Sequence, residues 1–250
     1  MQHNALAAVV EWIKDSSEIV FLTGPELCME AGIPDVTDRS FNPNINQFKN
    51  RVEVREEYWE KIKKYYPKIS SAKPSPTHEA IYEIELIYNV NCILTQCGDG
   101  LHLKTGSEKV IEIYASINWV TCPGCGKDYK MEEIMLELEK GVKTPICKEC
   151  GNNRIKPPIS FPDQALPHWE IRESWIRLQN CDLLIIVGAN LDTEPVASFP
   201  FQVMNNENKV VIIGEAGTPC DDYVSAVING KPSQVLPYVL KQLKKTTIVS

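Results

Sequence analysis

Four cysteines in this chain form two short pairs whose spacing suits a metal ion. Cys122 and Cys125 make the first CxxC pair, and Cys147 and Cys150 make the second, with 21 residues between the two pairs. Four thiolates at such a spacing match a tetrahedral, structural Zn²⁺ site that leaves no position for water. Two redox-active CxxC pairs, or an accidental spacing, are the alternatives. A glycine directly after each pair favours the zinc site, because it suits the tight turn that the site needs.

The chain has nine cysteines. No apolar run approaches the roughly 20 residues that a membrane-spanning helix needs, and the first ten residues lack the basic and apolar segments of a secretion signal. We therefore expect a cytoplasmic protein in which the cysteines are thiols or metal ligands rather than disulfides.

Composition places the chain among ordinary folded proteins. It has 250 residues, of which 43% are hydrophobic and 24% charged, and its formal net charge is −7. A disordered chain or a coiled coil does not fit these values. The negative charge argues against nucleic acid and anionic membrane as partners.

Short apolar runs that end at glycine or at a polar loop recur along the chain and predict β-strands. Helical patterns lie between them. This alternation predicts an α/β protein with a doubly wound, Rossmann-like parallel sheet, whose ligands bind at the carboxyl ends of the strands. The predicted strands are 18–24, 90–95, 110–113, 183–188 and 210–214, and the predicted helices are 4–17, 54–66, 78–88, 169–180, 196–205 and 235–243.

The segment that holds the cysteine pairs interrupts this alternation. We expect residues 1–120 and 157–250 to form the Rossmann-like domain and residues 121–156 to form a small zinc-binding insertion around a helix at 131–140. So short a segment buries too little apolar surface to fold alone, and the metal would supply the missing free energy. Residues 41–66 are expected to form a flexible or helical lid at the edge of the sheet.

Several motifs, in their order along the chain, resemble the sirtuins, which are NAD-dependent protein deacylases. The matching pieces are the Ala-Gly-Ile-Pro-Asp run that ends at Asp35, the Thr-Gln-x-x-Asp-x-Leu-His run at 95–102, the Val-Ile-Glu-Ile run at 110–113, the two CxxC pairs and the Gly188 loop. The resemblance covers nearly the whole chain and implies the sirtuin fold. It assigns contacts with NAD, or with an ADP-ribose-like nucleotide, to Gly24, Asp35, Gln96, Asp99, Gly188, Asn190 and Glu215.

The first strand of this chain ends differently from that of the sirtuins. Their Gly-Ala-Gly turn directs backbone N–H groups at the pyrophosphate, whereas this turn reads Gly24-Pro25-Glu26. Proline has no N–H group to offer. The Glu26 carboxylate would repel the phosphates if it faced them, and it would be harmless if it pointed to solvent. Both orientations remain open from the sequence.

Other family positions have also changed. The sirtuin Asp-Phe-Arg motif reads Asp35-Val36-Thr37, and the Asn of the nicotinamide pocket is replaced by Cys97. Where sirtuins place the histidine that takes a proton from the ribose, this chain has Tyr114. Tyrosine has an ordinary pKa near 10 and is protonated at neutral pH, so it is a poor general base. Tyr114 is therefore either a weak catalytic candidate or a residue that fills a disused pocket.

These changes favour a divergent sirtuin with lost or altered deacylase chemistry, either a pseudoenzyme or a nucleotide binder. The alternative is an active NAD-dependent deacylase, or an ADP-ribosyl transferase or NAD glycohydrolase, that uses the retained polar residues. A third hypothesis is an interaction module in which Cys28 or Cys97 acts as a thiol sensor. The resemblance implies a protein or an acyl-lysine peptide as the partner in the cleft, and the oligomeric state stays open.

Overall fold

The computed structural model of the protein describes residues 2–38 and 40–247, which contain eight β-strands. The strands are β1 Ile19–Thr23, β2 Val90–Thr95, β3 Val110–Glu112, β4 Trp119–Thr121, β5 Asp128–Lys130, β6 Leu183–Val187, β7 Lys209–Gly214 and β8 Ala226–Asn229. Six of them form one parallel sheet in the order β3-β2-β1-β6-β7-β8. The predicted doubly wound parallel sheet is confirmed.

The described residues also form ten α-helices and a 3₁₀ turn at Val196–Ser198. Among these residues, no helix has both the length and the apolar character needed to cross a membrane. The helices are α1 Gln2–Asp15, α2 Glu26–Glu30, α3 Ile45–Asn50, α4 Val52–Ser71, α5 Pro76–Ile87, α6 Leu101–Thr105, α7 Met131–Glu139, α8 His168–Gln179, α9 Phe199–Met204 and α10 Pro232–Thr247.

The central strands β1 and β6 are apolar except for Thr23 because helices cover both faces of the sheet. Every residue of β1 and β6 is buried. Helices α1, α5 and α10 pack on one face in one apolar cluster, and α8 and α9 pack on the other face in a second cluster. The carboxyl ends of the strands therefore remain the open edge on which loops can build a site.

Some elements differ from the sequence prediction. Strand β8 was not expected, because it has only four residues and pairs with a neighbour on one side alone. An edge strand needs no long apolar run. The helix expected at 54–66 extends from Val52 to Ser71 and includes Pro67. The helix expected at 196–205 divides into the 3₁₀ turn and α9.

The cysteine-rich insertion contains the antiparallel β4–β5 hairpin and α7. At its base, Thr121 and Lys156 exchange backbone hydrogen bonds of 2.8 and 3.3 Å. Its residues Val120 and Ile134 share an apolar cluster with Trp59 and Ile62 of α4. The segment expected to form a lid is thus mainly helical and packs against the insertion. The division of the chain into two domains stays a prediction.

One pair of cysteines is joined covalently. A disulfide links Cys28 of α2 to Cys97 in the loop after β2, and the two residues lie 69 positions apart in the sequence. Both side chains are buried. The expectation that the cysteines are thiols or metal ligands is wrong for this pair, because the fold brings together two residues whose sequence spacing gave no sign of contact.

The disulfide predicts a stability that depends on redox conditions. Because it closes a long loop, its reduction should lower the free energy of unfolding by about 2–4 kcal/mol. Thermal denaturation with and without a phosphine reductant measures this change.

The Cys97→Ser variant is the matched control. It should melt below the untreated wild type, and its melting temperature should be the same with and without the reductant. A wild-type melting temperature unaffected by the reductant would show that the bond contributes nothing.

Candidate functional site

The turn after β1 lies directly against the turn after β6. A Cβ atom placed on Gly24 would lie 2.3 Å from the carbonyl oxygen of Gly188, so only glycine fits there. Gly188 itself has a φ of 62°, which also favours glycine. Gly24 and Gly188, both predicted to contact a nucleotide, therefore have to be glycine for the two turns to pack together.

The backbone donors of the first turn bond to the protein itself. The N–H group of Gly24 donates to the carbonyl of Val187 at 2.9 Å, and that of Glu26 donates to the carbonyl of Gly188 at 3.2 Å. Pro25 between them has no N–H group. The donors of Gly24 and Glu26 are thus already engaged.

The Glu26 side chain lies across the carboxyl ends of β6 and β7. Its Cβ would be 2.7 Å from a Cβ on Gly188, and its Oε1 would be 3.4 Å from a Cβ on Gly214. Its Oε2 accepts from the N–H group of Glu215 at 3.4 Å. The side chain is thus half-buried along this edge of the sheet rather than pointing freely to solvent. Glu215 is itself exposed.

A cavity of about 390 Å³ opens beside this turn. Four of the predicted site residues line it together: Asp35, Gln96, Tyr114 and Asn190. They come from the loops after α2, β2, β3 and β6, and the parallel sheet brings these loops to one edge. Gly24, Asp99, Gly188 and Glu215 lie outside the lining of this cavity.

Asp35 is held by its own turn. Its Oδ1 accepts from the N–H group of Thr37 at 2.8 Å and from the Thr37 hydroxyl at 2.6 Å. The same hydroxyl lies 3.1 Å from the carbonyl oxygen of Gln96. The neutral Thr37 hydroxyl, at the position where the resemblance to sirtuins predicts an arginine, therefore joins the loop after α2 to the loop after β2.

Gln96 and Asp99 are both buried polar residues. The Oε1 atom of Gln96 has no hydrogen-bond partner. Asp99 Oδ1 accepts from the N–H group of Leu101 at 2.9 Å, and its Oδ2 lies 3.5 Å from the Cys28 sulfur. Burial raises the pKa of Asp99 to about 6, against the smaller opposing effect of the Leu101 hydrogen bond.

No histidine lines this cavity. His78 and His102 pack on each other with ring centroids 4.5 Å apart, in the interior. Burial lowers the pKa of His78 to about 4 and also lowers that of His102. Both are therefore neutral, and His168 lines a different cavity. Within the described part of the chain, no histidine therefore lies beside Tyr114 in the lining of this cavity.

Sequence reasoning missed a group of acidic residues around the cavity. Its lining also includes Asp38, Asp163, Asp192 and Glu194. These residues lie on three separate loops, and no spacing rule connects them.

The four cysteines of the insertion converge on one point. Their sulfur atoms all lie within 4.8 Å of one another. The Cys122 and Cys150 sulfurs are 3.5 Å apart, and those of Cys125 and Cys147 are 3.6 Å apart. The glycines after the two pairs have φ values of 73° and 71°, as tight turns require. Four converging thiolates fit the donor set of tetrahedral Zn²⁺.

A model of the Sir2 family matches residues 29–195 of the chain. This chain belongs to the Sir2 family. Among curated sirtuins, it is 29% identical over 244 residues to the NAD-dependent protein deacylase 2 of Archaeoglobus fulgidus, a match that covers 94% of each chain. The predicted family is confirmed.

Solved sirtuin structures have the same fold. A Sir2 protein bound to an acetylated peptide superposes with a TM-score of 0.85 at 27% identity, covering 97% of this chain and 99% of the other. A His-to-Tyr mutant of a Sir2 protein with a p53 peptide and NAD superposes with a TM-score of 0.84 at 26% identity, covering 98% and 99%. This sirtuin therefore departs from its relatives in side chains rather than in architecture.

The cysteine cluster predicts one zinc ion per chain. We expect the Cys125→Ser variant to lose that zinc and to melt at a lower temperature, because the metal supplies folding free energy to the insertion. Atomic emission and thermal denaturation measure the two effects.

Cys220→Ser changes a cysteine outside the cluster and should keep its zinc. Full zinc content in Cys125→Ser would contradict the assignment of a zinc site to the four cysteines.

The raised pKa of Asp99 predicts a stability that depends on pH. The folded pKa of about 6 exceeds the ordinary value of 3.8 for an aspartate. The stabilising contribution of the protonated carboxyl group is therefore fully present below pH 3.8 and is lost as pH rises through 6. Asp99→Asn should then be more stable than wild type at pH 8, by up to roughly 3 kcal/mol. Chemical denaturation at pH 5, 6, 7 and 8 measures this difference.

The stability gain of Asp99→Asn should grow between pH 5 and pH 7 and then level off. Burial, and to a smaller extent the charge of Asp99, raises the pKa of Glu112 to about 7, so Glu112 titrates in the same range and its pKa should be somewhat lower in the variant. A stability gain of Asp99→Asn that does not depend on pH would contradict the raised pKa of Asp99.

Proposed function

We propose that this member of the Sir2 family has lost the NAD-dependent deacylation of its relatives and retains its cleft for binding. The orientation of the Glu26 carboxylate carries this proposal. It lies across the ends of β6 and β7 and accepts from the Glu215 N–H group. A carboxylate about 4 Å from a phosphate opposes it by about 4 kcal/mol at a surface-like dielectric.

Three further observations support the loss of activity. The backbone donors of Gly24 and Glu26 are spent on Val187 and Gly188. Tyr114, which the resemblance to sirtuins puts at the position of the base, lines the cavity, and none of the described lining residues is a histidine. A protonated tyrosine cannot take the ribose proton at neutral pH.

In this proposal the insertion holds one structural zinc ion. Zinc would fix the β4–β5 hairpin and α7 against α4, whose side chains share their apolar cluster. All four positions of the metal are taken by thiolates, so the ion has no place for substrate. Its contribution is to stability, not to chemistry.

A second candidate function is an NAD-consuming enzyme with altered chemistry. The curated relatives carry names of NAD-dependent deacylases and deacetylases. The His-to-Tyr mutant of a Sir2 protein holds both a peptide and NAD, so such a change is compatible with both ligands in that protein. Here Gln96, Tyr114 and Asn190 still line the cavity. NAD cleavage depends on positioning and electrostatic help as well as on a base.

Calorimetric titration of the zinc-replete protein with NAD and with ADP-ribose separates these functions when free nicotinamide is measured in the same samples. Loss of activity predicts no nicotinamide, with or without an acetylated peptide. Tyr114→His alone should also remain inactive, because the first turn still opposes the phosphates.

The Pro25→Ala/Glu26→Gly variant tests that turn directly. It should bind ADP-ribose at least 10-fold more tightly than wild type if the carboxylate is the obstacle. Nicotinamide release by wild type, or deacylation by the single Tyr114→His variant, would overturn the proposal.

A further inference from the structure

Three side chains that can bind a metal ion meet at the carboxyl edge of the sheet, apart from the four-cysteine cluster of the insertion. They are Cys28 of α2 and Cys97 and Asp99 of the loop after β2, here called the Cys-Cys-Asp group. The two sulfurs and a carboxylate oxygen all lie within 4.8 Å of one another. Each of the three residues is at most 3% exposed. Within residues 2–38 and 40–247, only this group and the four-cysteine cluster bring at least three such ligands together.

The fold, and not the covalent bond alone, assembles this group. Strands β1 and β2 are parallel neighbours, so α2 and the loop after β2 start from the same edge of the sheet. The N–H group of Cys97 donates to the Thr95 hydroxyl at 3.1 Å, and its sulfur lies 3.4 Å from the carbonyl oxygen of Gly24. The Cα atoms of Cys28 and Cys97 are 6.7 Å apart. Two cysteines at that separation can reach one ion through zinc–sulfur bonds of about 2.3 Å.

One carboxylate oxygen of Asp99 is directed at the sulfurs and has no proton donor there while the disulfide is present. Its Oδ1 accepts from the N–H group of Leu101 at 2.9 Å, and its Oδ2 points to the Cys28 sulfur at 3.5 Å. A disulfide sulfur carries no proton, so the second contact is not a hydrogen bond. The ion pairs among the described residues do not include Asp99. Buried carboxylates are normally paired with a cation or bound to a metal.

We infer that the Cys-Cys-Asp group binds a zinc ion when its disulfide is reduced. Two thiolates and a carboxylate are ligands that Zn²⁺ accepts, and thiolates favour it over Mg²⁺ and Ca²⁺. Three protein ligands leave the fourth tetrahedral position to water or to another ligand. The group thus holds either a covalent bond or a metal ion. This inference does not rest on the proposed function, because none of the three residues lines the cavity beside the first turn.

The exchange between the two forms needs a reductant, such as a dithiol. The reductant passes two electrons and two protons to the disulfide, which becomes two thiols, while the dithiol itself becomes a disulfide. Zn²⁺ then displaces the two thiol protons to the solvent, and the Asp99 carboxylate becomes its third ligand. The three ligands carry three negative charges, of which the ion neutralises two. Because zinc binds only the reduced form, it favours reduction.

Counting zinc ions on the full chain in two redox states tests this inference. The zinc-replete protein is either oxidised in air or reduced with a phosphine, which takes up oxygen from water and does not chelate zinc as a dithiol does. Each sample is saturated with Zn²⁺ and desalted, the reduced one under nitrogen. Atomic emission should give one zinc ion per chain in the oxidised protein and two in the reduced protein. Alkylation in denaturant followed by mass spectrometry confirms the redox state of Cys28 and Cys97.

Variants locate the second zinc ion. Cys28→Ser and Cys97→Ser should hold one zinc ion in both states, because each removes a thiolate from the group. Asp99→Asn should bind the second ion at least 10-fold more weakly, which corresponds to about 1.4 kcal/mol and is measured by competition with a chromophoric chelator. Cys220→Ser changes a buried cysteine outside both clusters and should hold two ions when reduced. Melting temperatures check that each variant is folded.

The wild type alone also gives a decisive result if a cysteine variant does not fold. Co²⁺ is added to the reduced protein after its four-cysteine cluster has been filled with zinc. Cobalt bound by thiolates absorbs strongly in the near ultraviolet, so the Cys-Cys-Asp group should give this absorption in the reduced protein and not in the oxidised one. Absence of the absorption from the reduced protein overturns the inference.

Each zinc count has one meaning. Two ions in the reduced wild type, with the second lost in both cysteine variants, support the inference. One ion in both redox states overturns it and leaves the pair a plain disulfide. Two ions in both states, or a second ion kept in the cysteine variants, place that ion elsewhere on the chain and also overturn it. Nicotinamide release from NAD would overturn the proposed function and not this inference, so the two failures are distinguishable.

Discussion

The contact between the turns after β1 and β6 constrains the whole carboxyl edge of the sheet. No side chain fits at Gly24, and the carbonyl of Gly188 is taken by the N–H group of Glu26. Once these turns are locked together, the side chain of Glu26 has to lie over β6 and β7. The Pro25-Glu26 sequence thus changes the electrostatics of the edge without changing the path of the backbone, which is why the fold still superposes on solved sirtuins.

The site is best understood as a sirtuin scaffold with a different charge pattern. Its loops still converge because a parallel sheet places all its strand ends on one edge. Five carboxylates on three of those loops line one cavity. A fold can keep its architecture while the chemistry of its site changes, and the residues at the site decide the function.

The sequence was sufficient for the features that depend on local patterns. Buried strands such as β6 read as continuous apolar runs, and the cysteine pairs have a spacing that only a few structures use. Features that depend on distant contacts were not predictable. The disulfide joins residues 69 positions apart, and β8 has four residues with no distinctive pattern. The acidic cavity was also missed, because its carboxylates come from separate loops. The orientation of the Glu26 side chain could not be predicted from the sequence, because it depends on Gly188 and Gly214, which lie far along the chain.

The order of strands also determines how the chain can fold during synthesis. Strand β1 pairs with β6, roughly 160 residues later, and non-local pairing of this kind is slow. Until Val187 has left the ribosome, one edge of the apolar strand Ile19–Thr23 stays open. At roughly 5–20 residues per second, this lasts on the order of ten seconds. An open apolar strand edge is a template for association with other chains. Early pairing with β2 covers only the other edge of β1, so the edge that later receives β6 is the exposed one during synthesis.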